Sequence, residues 1–208
     1  MQKAWIVAAV ILVVVLGLKM LERSRGFTGF LGERGIQSRL NELDPSKYHV
    51  MNNLLVPNAK GDGTSQIDHL VVFGGGVAVI ETKNWAGRVF GKGQDRRWTV
   101  VLGRRKYRPE NPILQNQGHI KAVLAIVRED IPVHNIVVLG RRADLRLNDI
   151  KNASVIRPQD VVPLIRNLNN DVLSDEQVHT VYRRLADMNI QDSGARKQHI
   201  QYVKRLRK

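Results

Sequence analysis

The chain of 208 residues contains no cysteine. This absence excludes disulfide bonds, thiolate metal sites and catalysis by a cysteine nucleophile. Internal repeats and low-complexity tracts are also absent from the sequence, so the length predicts one domain with extensions. The glycine run Gly74–Gly76 is not followed by a helical pattern, which excludes a phosphate-binding loop at that position.

Acidic residues are scarce in comparison with basic ones. The chain has 19 Asp and Glu against 33 Lys and Arg, which gives a formal net charge of +14 at pH 7. The basic excess is spread through Arg88–Arg108, Arg141–Arg146 and Arg196–Lys208. Such a balance favours a polyanionic partner, either nucleic acid or the anionic face of a membrane. A soluble basic protein without such a partner is the alternative.

One long apolar run, Ala4–Leu18, lies near the N-terminus. Extended to residues 4–21, it would span roughly 27 Å as a helix, close to the thickness of a bilayer core. No small-residue cleavage signal follows it, so the sequence favours an uncleaved, single-span membrane anchor over a cleaved signal peptide. Basic residues are more numerous after the run than before it, which predicts a cytoplasmic globular part.

Two runs rich in β-branched residues, Ile67–Phe73 and Val77–Lys83, flank the glycine turn and predict a β-hairpin. Alternation along the second strand puts Glu81 and Lys83 on one face. If paired residues sum to 149, Asp68 lies directly across from Glu81. A three-residue turn would instead put these carboxylates on opposite faces.

Two carboxylates at cross-strand distance repel each other unless a cation or a proton lies between them. The pattern therefore predicts a site for a hard divalent cation, Mg²⁺ or Mn²⁺, with Asp68 and Glu81 as ligands. Lys83 would hold or deprotonate a water molecule and balance the charge of a phosphate. An ordinary ion pair at the end of a sheet is the alternative.

The surrounding pattern predicts a core in the order helix, three strands, helix, strand. Outside the hairpin, these elements are a helix at Gly29–Leu43, a strand at Tyr48–Val56, a helix from Pro112 to Glu129 and a strand at His134–Gly140. Glu33 lies on the apolar stripe of the first helix, where it is either a helix-terminal acid or part of a site. Gln115 and His119 share a face of the second helix, and packing is the expected role of the histidine.

A second, strongly basic hairpin is predicted between the third strand and the second helix. It carries seven cations interleaved with Trp98 and Tyr107, which favours contacts with nucleic-acid phosphates. A solvated edge that prevents aggregation is the alternative. The seven cations are Lys92, Arg96, Arg97, Arg104, Arg105, Lys106 and Arg108.

Four short motifs occur in this predicted frame. They are Gly32-Glu33-Arg34-Gly35, Ile67-Asp68-His69, Glu81-Thr82-Lys83-Asn84-Trp85 with Gly87, and Asn111-Pro112-Ile113-Leu114-Gln115 followed by His119. In this order they resemble the nuclease-related domain (NERD) family of the PD-(D/E)xK, restriction-endonuclease-like superfamily, over about Gly32–Gly140. Ile67 stands where the superfamily motif carries proline.

The resemblance implies an α/β (α+β) fold with a restriction-endonuclease-like αβββαβ core, in which helices flank a mixed sheet, and it implies phosphodiester hydrolysis. Asp68 and Glu81 would ligate the metal, and Lys83 would be the catalytic lysine. Glu33 would support the metal or its water, and Gln115 would orient Lys83 or the phosphate.

Together these features predict a membrane-anchored, Mg²⁺-dependent nuclease with DNA as the expected substrate. Residues 1–24 would form the anchor, 25–170 the nuclease-like domain, and 171–208 a C-terminal helix and basic tail. One alternative is a non-catalytic module that keeps the fold and binds nucleic acid. Another is a membrane scaffold whose basic surface binds anionic lipid or a partner protein.

Overall fold

The computed structural model describes residues 25–206. The predicted anchor at residues 4–21 lies outside this range. Within the described range, no helix has both the length and the apolar character needed to cross a membrane.

The described chain forms nine strands and five α-helices. In chain order they are α1 (Arg25–Leu40), β1 (Tyr48–Pro57), β2 (Thr64–Phe73), β3 (Gly76–Lys83), β4 (Gly87–Lys92), β5 (Thr99–Leu102), β6 (Arg105–Tyr107), α2 (Pro112–Val127), β7 (Val133–Leu139), β8 (Ala143–Asn148), β9 (Ser154–Ile156), a 3₁₀ turn (Pro158–Asp160), α3 (Val161–Asn167), α4 (Asp175–Asp187) and α5 (Ser193–Leu206). The predicted order of helix, three strands, helix and strand is present, with β4–β6 inserted before α2.

The strands form two mixed sheets. The first has the order β1-β2-β3-β7-β9 and the second the order β6-β5-β4-β8. In the first sheet β1, β2 and β3 are antiparallel, whereas β7 runs parallel to β3 and β9 parallel to β7. A parallel neighbour needs a crossover connection, and the chain between β3 and β7 supplies it through β4–β6 and α2.

Helices cover both faces of the first sheet. On one face, apolar residues of α2 and α4 such as Val123 and Val181 pack on β1–β3. On the other face, α1 and α3 contribute Leu40 and Ile165. The central strand β3 is therefore buried on both sides, which explains its almost uninterrupted apolar sequence.

The turn between β2 and β3 explains the glycine run. A Cβ on Gly75 would lie 2.0 Å from the carbonyl oxygen of Leu168, and Gly76 has a φ of +116°. The glycines are thus needed where the turn passes under the end of α3. Their role is therefore structural, in agreement with the prediction that this glycine run is not a phosphate-binding loop.

The second sheet is larger than the predicted basic hairpin. A third antiparallel strand, β6, follows β5, and β8 joins β4 in parallel. Its inner face contributes Val89, Trp98 and Val100 to a core shared with Ile113 and Leu139. Trp98 is fully buried, so the predicted role of this ring between surface cations is wrong.

Candidate active site

The β2–β3 hairpin has the predicted register. Its two-residue turn pairs Phe73 with Gly76, and the ladder continues to His69 and Ile80. One further step along the strands brings Asp68 across from Glu81. There the Asp68 Oδ2 atom accepts a hydrogen bond from the backbone N–H of Thr82 (2.8 Å). The two acids therefore lie side by side on neighbouring strands.

Glu81 is a buried carboxylate between two basic groups, with only 1% of its surface exposed. One carboxylate oxygen accepts a hydrogen bond from Lys83 Nζ. The other, Oε2, lies 3.3 Å from Nε2 of His119. Burial raises the pKa of Glu81, but the neighbouring charges of Lys83 and His119 outweigh burial and hold the pKa below its ordinary value. Glu81 is thus kept ionised inside the protein.

Asp68 has the opposite electrostatic setting. Burial raises the pKa of its carboxyl well above the ordinary value, and the charge of Glu81 raises it further. The Thr82 hydrogen bond and the charge of Lys83 offset only part of this effect. Two neighbouring acids with pKa values displaced in opposite directions are a common arrangement in active sites.

Glu33 of α1 approaches the same cluster. It is half-buried, and burial raises its pKa, with a further increase from the charge of Glu81 and an opposing decrease from Lys83. Glu33 also raises the pKa of Asp68. The structure therefore brings together four of the five residues to which the resemblance assigned a catalytic or metal-binding role.

The fifth, Gln115, lies half-buried in the first turn of α2, four residues before His119. The histidine has a larger part in the site than the sequence predicted. Its Nδ1 shares a hydrogen bond with Ser65 Oγ (2.6 Å), which orients the ring so that Nε2 faces Glu81. A histidine between a hydroxyl and a carboxylate is a positioned electrostatic group as well as a packing residue.

Two buried asparagines fix α2 in place: Asn111, which begins the fourth motif, and Asn116, which was not among the predicted site residues. The side-chain amide of Asn116 donates hydrogen bonds to the Val79 carbonyl and to Asn135 Oδ1, both at 2.8 Å. Asn111 caps the helix and donates to backbone carbonyls of the loop after β4, including Gly93 (2.9 Å). In the sequence, Asn116 is a polar residue on the apolar stripe of a helix, and this pattern indicates a buried amide that needs hydrogen-bond partners.

His69 plays no part in the cluster. It is buried, and its Nδ1 atom is hydrogen-bonded to Asn52 Oδ1 (2.7 Å). Burial lowers the pKa of His69 to about 4. His69 is therefore a neutral, packed imidazole.

Asp68 and Glu81 offer oxygen atoms of the kind that a hard divalent cation prefers as ligands. Among the described residues no three His, Asp or Glu side chains form a ready-made metal cage. Glu81 Oε2 is buried and faces the ring of His119 at 3.3 Å, and Asp68 is held beside Glu81 despite the repulsion between their charges. Oxygen donors in this setting suit Mg²⁺ or Mn²⁺. Asp68 and Glu81 would hold the ion, with Glu33 in support.

Lys83 connects the acids to an open cavity of about 480 Å³. Its side chain is 20% exposed. The cavity lies between α1 and the ends of β3 and β7, and its lining includes Arg39, Arg141 and Arg142. Guanidinium groups are well suited to binding phosphate oxygens. Of the cluster, Lys83 is the residue that lines this basic cavity.

Comparison with known proteins places this chain in a family. The model of the nuclease-related domain matches residues 28–140. That range covers more than half of the chain and contains the acidic cluster. The chain belongs to the nuclease-related domain family. An uncharacterized protein from Bacillus anthracis is 32% identical over 177 residues, which cover 84% of this chain and 83% of that protein. No solved structure matches the chain significantly.

The seven cations predicted to bind nucleic acid form two groups on this nuclease-related domain. Four of them, Lys92, Arg96, Arg97 and Arg108, line one cavity on the second sheet. The other three, Arg104, Arg105 and Lys106, lie at and after the β5–β6 turn. Arg146 of β8 joins the first group. Because β8 was not predicted, this arginine was not among the predicted cations.

Proposed function

We propose that this nuclease-related protein hydrolyses phosphodiester bonds of nucleic acid with the help of a divalent cation. One observation carries the proposal: Asp68, Glu81, Glu33 and Lys83, from three different elements, meet beside an arginine-lined cavity. Burying acids that repel each other costs free energy of folding. A catalytic role best explains why the fold brings them together.

The residues divide the chemical work among them. When bound, Mg²⁺ or Mn²⁺ would acidify a water molecule and neutralise part of the phosphate charge. Glu81 stays ionised because Lys83 and His119 face its two oxygens. Lys83 lines the cavity and donates from Nζ to Glu81, and its ammonium group would hold the attacking water or stabilise negative charge on the phosphoryl oxygens.

DNA is the proposed substrate, and the basic lining supports a polyanion. Among the described residues, three arginines and one acid, Glu42, line the cavity beside Lys83. Contacts of this kind position the backbone without reading the base sequence. Cleavage that depends little on sequence is therefore expected.

The membrane part of the proposal depends on the sequence. Residues 4–21 are apolar enough to anchor the protein, and the basic residues that follow favour a cytoplasmic catalytic domain. The enzyme would then act on nucleic acid that comes close to the bilayer.

The test compares three proteins on single-stranded DNA, duplex DNA and RNA, each with Mg²⁺, Mn²⁺ or chelator. These are the full-length wild type in mild detergent, Asp68→Asn, and Asp187→Asn as a control, which changes an exposed acid at the end of α4. We expect cation-dependent cleavage by the wild type and the control, and a loss of at least about 100-fold in Asp68→Asn. Salt-sensitive binding without turnover in all three would contradict the proposal and favour a binding module.

A further inference from the structure

The outer face of the second sheet is open and carries an aromatic ring at its centre. Along β4, Val89 points into the core, whereas Phe90 points outward with 38% of its surface exposed. The strand register sets Phe90 between Thr99 of β5 and Arg146 of β8. Directly opposed residues share a face of the sheet, so these three side chains form one outward row.

Basic side chains surround this ring in a cavity of about 530 Å³. The cations in its lining are Lys92, Arg96, Arg97, Arg108 and Arg146. The acid Asp95 is also present, and its carboxylate accepts the backbone N–H of Lys92 (2.9 Å). Arg146 is paired with Asp144 at 3.2 Å, but both side chains are well exposed and such pairs are weak. The face therefore has an excess of positive charge around an apolar centre.

The ring lies on a rigid support. Trp98 packs beneath the strand so closely that a Cβ on Gly91 would lie 2.2 Å from its ring, and its indole N–H donates to the Lys92 carbonyl (2.9 Å). Asn111 binds carbonyls of the loop that follows β4, including that of Asp95 (2.8 Å). The loop is thereby tied to the start of α2. Such preorganisation lowers the entropy lost on binding.

We infer that this face binds single-stranded nucleic acid, with an unpaired base stacked on Phe90 and the neighbouring phosphates held by the surrounding cations. Aromatic side chains on an open sheet, flanked by basic groups, are a general means of binding single strands. In a duplex the faces of the bases are already stacked on one another, so the ring would have no partner there. The concave shape also disfavours a flat lipid surface.

The platform is connected directly to the candidate active site. Phe90 follows Lys83 by seven residues, so the two lie within about 25 Å of each other. A strand held on the platform could therefore extend toward the acidic cluster. The platform extends the proposed function, on which its biological role rests, because it specifies single-stranded nucleic acid as the form of the substrate. The binding itself is tested without catalysis.

The experiment measures the affinity of the full-length protein for a fluorescent 12-nucleotide single strand and for its duplex, with chelator present so that no cleavage occurs. The variants are Phe90→Ala, Phe90→Tyr, which keeps the ring, and Leu124→Ala as the matched control. Leu124 is equally exposed (38%) but lies on α2. A single strand with abasic sites in place of bases tests stacking on the unaltered protein.

We expect Phe90→Ala to weaken single-strand binding roughly 5- to 150-fold, the range for loss of one stacked base. Phe90→Tyr and Leu124→Ala should stay within about threefold of the wild type. Duplex binding should change little in every variant, and the abasic strand should bind wild type about as weakly as the normal strand binds Phe90→Ala.

Three results would overturn the inference. They are unchanged single-strand affinity in Phe90→Ala, an equal loss of affinity for single strand and duplex in this variant, and, in a parallel assay with anionic phospholipid vesicles, a loss of vesicle binding in Phe90→Ala in place of a loss of single-strand binding. Failure of the proposed hydrolysis looks different. Single-strand binding that depends on Phe90, without cation-dependent cleavage of any nucleic acid, would leave the platform in place and remove only the catalytic role.

Discussion

Replacing Asp68 by asparagine should stabilise the protein when divalent cations are chelated, even though it is expected to abolish activity. The carboxylate lies on β2 beside Glu81 on β3, and burial followed by the charge of Glu81 raises its pKa. Asparagine has nearly the same shape and can still accept the N–H of Thr82. The substitution therefore removes a charge while keeping the hydrogen bond.

The size of the effect follows from the separation of the strands. Side chains directly across two strands lie about 5 Å apart. Two like charges at that separation repel by about 3 kcal/mol at an effective dielectric constant of 20. The charge of Lys83 offsets part of this repulsion. A net stabilisation of about 1–2 kcal/mol is expected at pH 7.5, which corresponds to a Tm about 2–8 °C higher.

The effect should depend on pH in a defined direction. Because the pKa of Asp68 is higher in the folded state than its ordinary value of 3.8, its contribution to stability is complete below pH 3.8 and is lost as the pH rises through the folded pKa. The advantage of Asp68→Asn over wild type should therefore be small near pH 4 and grow toward pH 7.5.

Urea unfolding in chelator between pH 4 and pH 8 gives the free energy of unfolding for each protein. Asp187→Asn, at an exposed position, should follow the wild type throughout. A variant at Asp68 that is less stable than wild type at pH 7.5, or an advantage that does not change with pH, would refute the inferred repulsion between the two acids.

Three further changes test other parts of the structure. Lys83→Gln should lower kcat by at least about 100-fold with little change in nucleic-acid affinity, which single-turnover kinetics and binding assays separate; equal loss of both would contradict its role in the chemical step. His119→Gln should move the acidic limb of the pH–rate profile to higher pH, because this change removes a neighbour that lowers the pKa of Glu81. An acidic limb at the same pH as in wild type would contradict a functional role for the contact between His119 and Glu81. Gly75→Ala should destabilise the fold by about 2 kcal/mol or more, because its methyl group would lie 2.0 Å from a backbone carbonyl oxygen. Gly118→Ala, whose methyl group meets no described atom within 4 Å, should not destabilise α2 in the same unfolding assay.

The central hairpin could be predicted from the sequence because local rules determine it. Side chains alternate with a period of two, and the glycine turn limits the register to a few choices, so Asp68 and Glu81 were placed across from each other. The helical pattern set Glu33 on the apolar stripe but left open whether it was a helix-terminal acid or a site residue, and the resemblance to the family assigned it to the site. All three depend on neighbours along the chain or across one turn.

Features that depend on the packing of distant elements were missed. The contact of His119 with Glu81 depends on how α2 is rotated against the sheet, which helical spacing alone does not determine. Strand β8 was overlooked because its charges suggested a basic segment, although Leu145 and Leu147 alternate with polar residues as a half-buried strand requires. Trp98 was assigned to the surface because the charges around it concealed the inward direction of its side chain.

Calorimetric titration of Mn²⁺ into the full-length protein tests most directly whether the converging acids form a cation site. We expect saturable binding by wild type and by Asp187→Asn, and affinity at least about tenfold lower in Glu81→Gln, which keeps the shape of the side chain but not its charge. Absence of saturable binding by wild type, or equal binding by Glu81→Gln, would contradict a metal-dependent active site at this position.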